Sequence, residues 1–301
     1  MNVDSPIFNG WLNIFKEQGY TSSHVVRTIK KTFNIKKIGH YGTLDPLASG
    51  VLPLALGEAT KTIQFITFDL KSYSFFINWG KETDTCDKEG KVLRETEARP
   101  NIVEIKPTIK KYFMGNIDQT PPIFSAVKVN GKRAYKLARQ NEKFKINSKR
   151  IKIIKFELLR FINKNKAQFL VSCGPGTYVR SLARDLSKKL GTLGYASNIV
   201  RLKNSYFCIS KSISFEKVIK SNTPNFYNKL LPVDYVLKNF KEIKLEKKYS
   251  DMLKDGKVVF LSKYNNNKER ESIFLIKCNS ELVSIANLKK GYIIPRRNFN
   301  N

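Results

Sequence analysis

The stretch Gly39-His40-Tyr41-Gly42-Thr43-Leu44-Asp45-Pro46-Leu47-Ala48-Ser49-Gly50 constrains the fold more than any other part of the chain. Pro46 disfavours helical backbone at the residue before it, so Asp45 is expected on an extended or turning segment. Gly39, Gly42 and Gly50 permit positive φ and close backbone approach, whereas Leu44, Leu47, Val51, Leu52 and Leu54 read as core anchors. One carboxylate is thereby held against an apolar floor. From these residues alone Asp45 is equally a local cap, closing an Asx-turn, or a chemical reagent.

The rest of the composition narrows the partner. The 301 residues are 41% hydrophobic, enough to fill the core of one large domain and a small one. Lys and Arg number 55 against 25 Asp and Glu, a formal charge of +30, which calls for a polyanion: nucleic acid first, an anionic membrane surface second. The richness in Lys, Asn and Ile can raise the charge without adding contacts, so charge does not by itself establish RNA or DNA binding. Cys86, Cys173, Cys208 and Cys278 form no Cys-x-x-Cys pair and the histidines are only His24 and His40, which argues against a zinc site. The segment Met1 to Pro6 lacks a basic region followed by an apolar core, and no apolar run reaches membrane-spanning length. A cytoplasmic protein with reduced thiols is expected.

Along the chain, Gly10 to Lys16 reads as a strand. Thr21, Ser22 and Ser23 then offer capping oxygens to a helix with Val25, Val26, Ile29 and Phe33 at helical spacing. His24, in its first turn, reads as a surface or capping residue before a catalytic one. A short helix over Gly57 to Phe65 leads to a strand from Lys71 to Gly80, whose alternation puts Tyr73, Phe75, Ile77 and Trp79 on one face. Tyr73 is on that pattern a core aromatic. Gly80 to Gly90 carries Glu82, Asp84, Asp87 and Glu89 without calcium-loop spacing and reads as a polar hairpin connection. A helix is expected over Ile102 to Met114. From Lys128 to Lys155 there are eleven Lys or Arg and one acid, Glu142, with Tyr135 and Phe144 interleaved; this is a phosphate-gripping surface or a solvated charged face.

A strand over Ala167 to Cys173 precedes Gly174-Pro175-Gly176-Thr177-Tyr178-Val179-Arg180 and a helix with Leu182, Ala183, Leu186 and Leu190 on its buried face. Arg180 at a helix N-terminus meets an unfavourable dipole, and Asp45 is the natural anion to offset it. Ile199-Val200-Arg201-Leu202 follows, with Ile199 readable as plain core. Beyond Leu230-Leu231-Pro232-Val233-Asp234, short β-like runs at Lys257 to Leu261, Ile273 to Cys278 and Leu282 to Ala286 alternate with polar turns.

The pattern Gly-His-x-Gly-x-Leu-Asp-Pro-x-Ala-x-Gly over residues 39–50 closely resembles the active-site motif of the TruB family of pseudouridine synthases. Lys71-Ser72-Tyr73, the Gly176-Thr177-Tyr178-Val179-Arg180 segment, Ile199 to Leu202 and the residues around Gln119 to Tyr135 resemble further segments of that family. Two positions depart from its pattern: Glu17 stands where a Pro usually follows Lys16, and Gly174-Pro175 replaces a Ser-Lys approach. The resemblance implies an α+β pseudouridine synthase fold, with a central mixed, largely antiparallel sheet flanked by helices. The catalytic domain would span residues 1–230, with an RNA-binding thumb at about 115–152 that is mobile without RNA, and 231–301 would form a small β-rich PUA-like domain.

The same resemblance decides between the roles left open for Asp45. It implies an isomerase acting on uridine 55 in the TΨC loop of tRNA, with Asp45 as the catalytic acid. Arg180 would pair with it and hold its charged form. Tyr73 would stack on the target base, Tyr178 and Ile199 would line the uracil pocket, and His40 would contact the displaced RNA. Isomerisation neither oxidises nor hydrolyses, so no cofactor and no metal is expected, and the partner is the tRNA stem-loop, met by a monomer with no protein partner and no membrane. Two other classes compete: a non-catalytic RNA-binding or folding factor, which would not demand the Asp45, Tyr73, Tyr178 and Arg180 set, and an Asp-dependent nucleic-acid hydrolase, which would need clustered carboxylates.

Overall fold

The computed structural model describes residues 7–265 and 272–300. The leader reading of Met1 to Pro6, and residues 266–271 and 301 of the expected tail domain, lie outside them. The centre is a ten-stranded mixed sheet. Its main path runs Ile213–Ser214, Gly10–Lys16, Ser49–Leu56, Gly194–Asn204, Lys71–Trp79, Lys166–Cys173, Lys149–Asn163 and Gly115–Gln119. Two short strands, Ile38–His40 and Phe207–Cys208, pair at its side. Only the pairings of Gly10–Lys16 with Ile213–Ser214 and of Gly194–Asn204 with Ser49–Leu56 are parallel within this sheet.

Side-chain alternation explains how the sheet is covered. Phe75 pairs with Phe169 and Ile77 with Ala167, and the face they share with Tyr73 and Trp79 packs beneath the helices Ser22–Thr32, Ile102–Tyr112 and Val179–Lys189. Strands Gly10–Lys16 and Ser49–Leu56 are apolar on both faces because both faces are covered. Leu12, Ile14, Leu52 and Leu54 join the helix-side core, while Trp11, Val51 and Ala55 join a second core with Val236, Leu237, Leu275, Ile285 and Phe299 of the tail. Thr21 caps the first helix by accepting from the His24 amide, and His24 is exposed and stacked on Tyr20 at 5.3 Å.

The tail forms a five-stranded sheet in the order Lys241–Lys244, Ser272–Cys278, Glu281–Lys289, Tyr292–Asn298, Val259–Phe260. Polar turns were expected between its strands, but a helix, Lys247–Lys254, fills one connection: Leu253 is buried in the tail core, with Tyr249 and Met252 packed against it. Among the described residues no helix is long and apolar enough to cross a membrane.

Candidate active site

The 39–50 stretch is a turn clamped onto the sheet. Gly42 (φ +76°) and Gly50 (φ +110°) take left-handed backbone. At Gly50 a Cβ would lie 2.3 Å from the Arg201 carbonyl oxygen, so only glycine lets the two strands meet there. Gly39 needs no such freedom, because it sits in the short strand Ile38–His40. Asp45 stands on non-helical backbone directly before the turn at Pro46 and Leu47, as the proline requires, and its carbonyl accepts from the Ala48 amide at 3.1 Å.

The Asp45 carboxylate meets Arg180 Nη2 at 2.8 Å, with the aspartate side chain 43% exposed and the arginine 6%. The acid is therefore reachable while its partner is fixed. Arg180 is the second residue of the helix Val179–Lys189, and its fork is fully used. Nη1 donates to the Thr85 carbonyl (3.0 Å) and to Asp87 Oδ2 (3.3 Å), and Nη2 also donates to the Phe124 carbonyl (3.1 Å). Two carboxylates thus offset the helix-end penalty that the sequence foretold for one. Asp45, Tyr73, Tyr178, Arg180 and Ile199 come together in one cleft of about 110 Å³, completed by Thr43, Leu44, Ala48, Thr177 and Val179. His40 is not among its lining residues; it is half-buried on the strand paired to Leu54.

Three residues that sequence reasoning missed hold this arrangement. Asp87, taken for part of a polar connection, is buried; its Oδ1 accepts from the Thr85 hydroxyl at 2.7 Å and the Glu89 amide at 3.0 Å. Gln119 is buried at the base of the expected thumb, and its side-chain amide exchanges two hydrogen bonds with the Tyr178 backbone, at 3.1 and 2.8 Å. Arg201 is fully buried beneath the turn. Four acids within ten residues of an acid-poor chain was the one available hint for Asp87; nothing local marked the other two.

Known proteins resemble this chain in sequence and in fold. A family model described as TruB family pseudouridylate synthase (N terminal domain) matches residues 30–179. A protein named tRNA pseudouridine synthase B from Wolbachia pipientis is 47% identical over 228 residues, covering 75% of this chain and 64% of that protein. Proteins of the same name from Ehrlichia ruminantium and Aquifex aeolicus are each 37% identical, over 97% and 96% of this chain and 99% of each relative. The chain belongs to the TruB family. Among solved structures, a chain of an H/ACA ribonucleoprotein bound to a substrate RNA superposes with a TM-score of 0.71 at 21% identity, over 97% of this chain and 85% of that one. A chain of a Cbf5-Nop10-Gar1 complex gives 0.70 at 23% identity, over 100% and 90%. These likenesses extend the pseudouridine synthase fold to the PUA-like tail of this TruB family member.

The electrostatics of the TruB site follow from burial. Burial raises the Tyr73 and Tyr178 phenols above their ordinary value, so both stay protonated as neutral walls at pH 7. His40 is lowered, first by burial and then by the Arg201 charge, and is neutral there. Lys16 has no accessible surface and is lowered to about 8, by burial first and Arg201 second, with Asp45 and Glu17 opposing. Its ammonium donates to the carbonyls of Glu17 (3.0 Å) and Tyr20 (2.7 Å), with that of Pro46 at 3.5 Å. Glu17 accepts from the Ser214 hydroxyl at 2.6 Å, which ties this loop to the edge strand.

Proposed function

We propose that this chain converts uridine 55 of the tRNA TΨC loop to pseudouridine, with Asp45 as the catalytic carboxylate. The observation that carries the reading is the Asp45–Arg180 pair at 2.8 Å, half-open to solvent in a cleft with Tyr73, Tyr178 and Ile199 on its walls. The reaction breaks the bond from ribose C1′ to uracil N1, turns the base and joins C1′ to C5; C5 gives up its hydrogen as a proton and N1 takes one up, so the product is an isomer of the substrate. It consumes no electrons and no water, so a carboxylate placed against a flipped-out nucleotide is the chemical requirement.

Each wall residue has a part. Arg180, anchored to two backbone carbonyls and Asp87, gives the catalytic acid a fixed counter-charge that does not move when the substrate arrives. Tyr73 stacks on the base, and Tyr178 and Ile199 close the pocket, which keeps the detached uracil from escaping into water. His40, on the strand leading into the turn, contacts the RNA displaced beside the flipped nucleotide.

The flanking surfaces fit the same substrate. All eleven cationic side chains between Lys128 and Lys155 are exposed, as a thumb at about 115–152 gripping phosphates requires. The PUA-like tail, with Arg296 and Arg297 beside Lys254 and Lys61 in a basic hollow, reaches toward the acceptor side of the tRNA. The protein works as a cytoplasmic monomer without a protein partner. Release of tritium from C5-labelled uridine in a TΨC stem-loop transcript tests the proposal: stoichiometric release is expected, and RNA binding without release would leave only a binding protein.

A further inference from the structure

Arg201 and Lys16 are the two charged side chains with no exposed surface among the described residues. Arg201 has the more unusual surroundings. Its guanidinium donates from Nε to the Val51 carbonyl (2.8 Å), from Nη1 to that of Thr43 (3.2 Å) and from Nη2 to that of Gly42 (2.8 Å). Its main chain stands in register with Tyr73 on the neighbouring strand. The hydrogen-bond partners of its side chain are three backbone carbonyls, with no carboxylate among them. A cation taken out of water without a counter-ion is costly, and a leucine or methionine would occupy much of the same space without that cost. The charge is therefore explained by what it holds.

The strand carrying Arg201 is bent to deliver it. Gly194–Asn204 slips register against Lys71–Trp79 between Ser197 and Val200, and again between Arg201 and Lys203; Asn198 takes φ 47° inside the first slip. Bulges of this kind re-aim side chains beside active sites. Here they send Ile199 into the cleft and Arg201 beneath the turn. Parallel pairing to Ser49–Leu56 is confined to Val200 with Ser49 and Arg201 with Gly50. One residue thus grips the Asp45 turn at both ends, its main chain against Gly50 and its guanidinium on Gly42, Thr43 and Val51. Asn204, three residues on, adds a bond from Nδ2 to the Tyr41 carbonyl at 2.7 Å.

We propose that Arg201 is a positioning residue for the isomerisation, locking the Gly42 to Val51 turn against the strand that carries Tyr73 so that the Asp45 carboxylate and its aromatic wall keep their spacing. This rests on the isomerase reading of the cleft. The lock is specific to a forked donor: three N–H directions reach three carbonyls, and a lysine ammonium at the end of a single stem cannot match them. It also has an electrical consequence. Lys16 lies under the same turn, and the charged groups acting on it are Arg201, Asp45 and Glu17. Removing the Arg201 charge removes a repulsion, so Lys16 keeps its proton to higher pH. A residue that merely filled space would leave that titration alone.

The test uses the full chain with Arg201→Met and Arg201→Lys, measuring single-turnover tritium release from the C5-labelled stem-loop across about pH 6 to 10, with RNA affinity and melting on the same samples. Because misplacing a reacting group by about 1 Å costs about a hundredfold, Arg201→Met should lose about that much rate while the RNA Kd stays within about threefold. The rise in its melting temperature that comes with Lys16 deprotonation should begin at a higher pH. Arg201→Lys, which keeps the charge but not the fork, should recover about tenfold of the rate and keep the wild-type dependence of melting on pH. A methionine variant within about threefold of wild-type rate, a loss confined to Kd, or coincident dependence of melting on pH in the two variants would overturn the proposal. Should the methionine variant fail to fold, the lysine variant decides: a folded Arg201→Lys protein at wild-type rate overturns it equally. Wild-type protein that releases no tritium would instead refute the isomerase reading, a separate result.

Discussion

The cleft around Asp45 and the basic segment from Lys128 to Lys155 handle their charges in opposite ways. In the cleft the cations are buried and their nitrogens are held by fixed partners: Arg180 by two carboxylates and two carbonyls, Arg201 by three carbonyls. In the basic segment all eleven cations are exposed, and their ion pairs, such as Lys132 with Glu142 at 3.8 Å and Arg150 with Asp118 at 3.2 Å, are open to solvent. Exposed pairs of that sort contribute about 0–1 kcal/mol and yield readily to a competing phosphate. Buried charges set geometry, whereas under the proposed function the exposed ones set RNA affinity and its dependence on salt.

That contrast can be broken by experiment. The largest effect belongs to Asp45→Ala: turnover should fall by about 10⁴-fold or more, as when a group acting on the reacting atoms is removed, with tRNA affinity nearly unchanged in filter binding. Comparable losses of binding and turnover would mean that the cleft also sets affinity. Arg180→Met leaves Asp87 buried without its cation and should destabilise the fold by about 3–5 kcal/mol in urea unfolding, a cost no single cation of the basic segment would show.

Lys16 gives a pH signature of intermediate size. Its pKa falls from 10.5 to about 8 on folding, so the unfolded chain binds that proton more tightly, and the group opposes folding below pH 8. As pH rises from about 8 toward 10.5 the opposition fades, and the stability advantage of Lys16→Met over wild type should shrink by on the order of 2–3 kcal/mol. A pH-independent difference would show that the ammonium is not penalised by burial. The smallest effect is expected from Lys132, Lys136, Lys143 and Lys145 changed together to Gln. Binding should weaken by about tenfold at physiological salt, and the slope of log Kd against log salt should drop by about 0.7 for each phosphate left without its cation, with the saturated rate and melting temperature held. An unchanged slope would take this segment out of the RNA interface.

What could be read from the sequence was what depends on near neighbours. The alternation of Tyr73, Phe75, Ile77 and Trp79 placed a buried face correctly, Thr21 announced its helix, and Pro46 forecast the backbone at Asp45, because each signal lies within a few residues of its effect. The Asp45–Arg180 pairing was reachable across 135 positions because a helix-end cation needs an anion and the family motifs named both. Arg201 stood out only as part of a run around Ile199, since its partners lie about 150 residues upstream and are backbone carbonyls, which carry no residue identity. Asp87 escaped for a related reason: an acid in a polar turn looks the same whether water or a buried guanidinium faces it. The tail helix Lys247–Lys254 was hidden by its lysines, its buried side being little more than Leu253 and its neighbours.

Trp11 ties the two ends of the chain together. Its indole donates to the Val233 carbonyl at 3.2 Å, its backbone exchanges hydrogen bonds with Leu231, and its ring packs with Phe207 in the core that also takes in Phe299. On the ribosome, a strand made among the first twenty residues must therefore wait for nearly three hundred before its outer face is sealed. Cutting the chain after the catalytic portion would not release a tidy enzyme but an apolar wound centred on that tryptophan, so early termination should be met by aggregation or proteolysis rather than by partial activity.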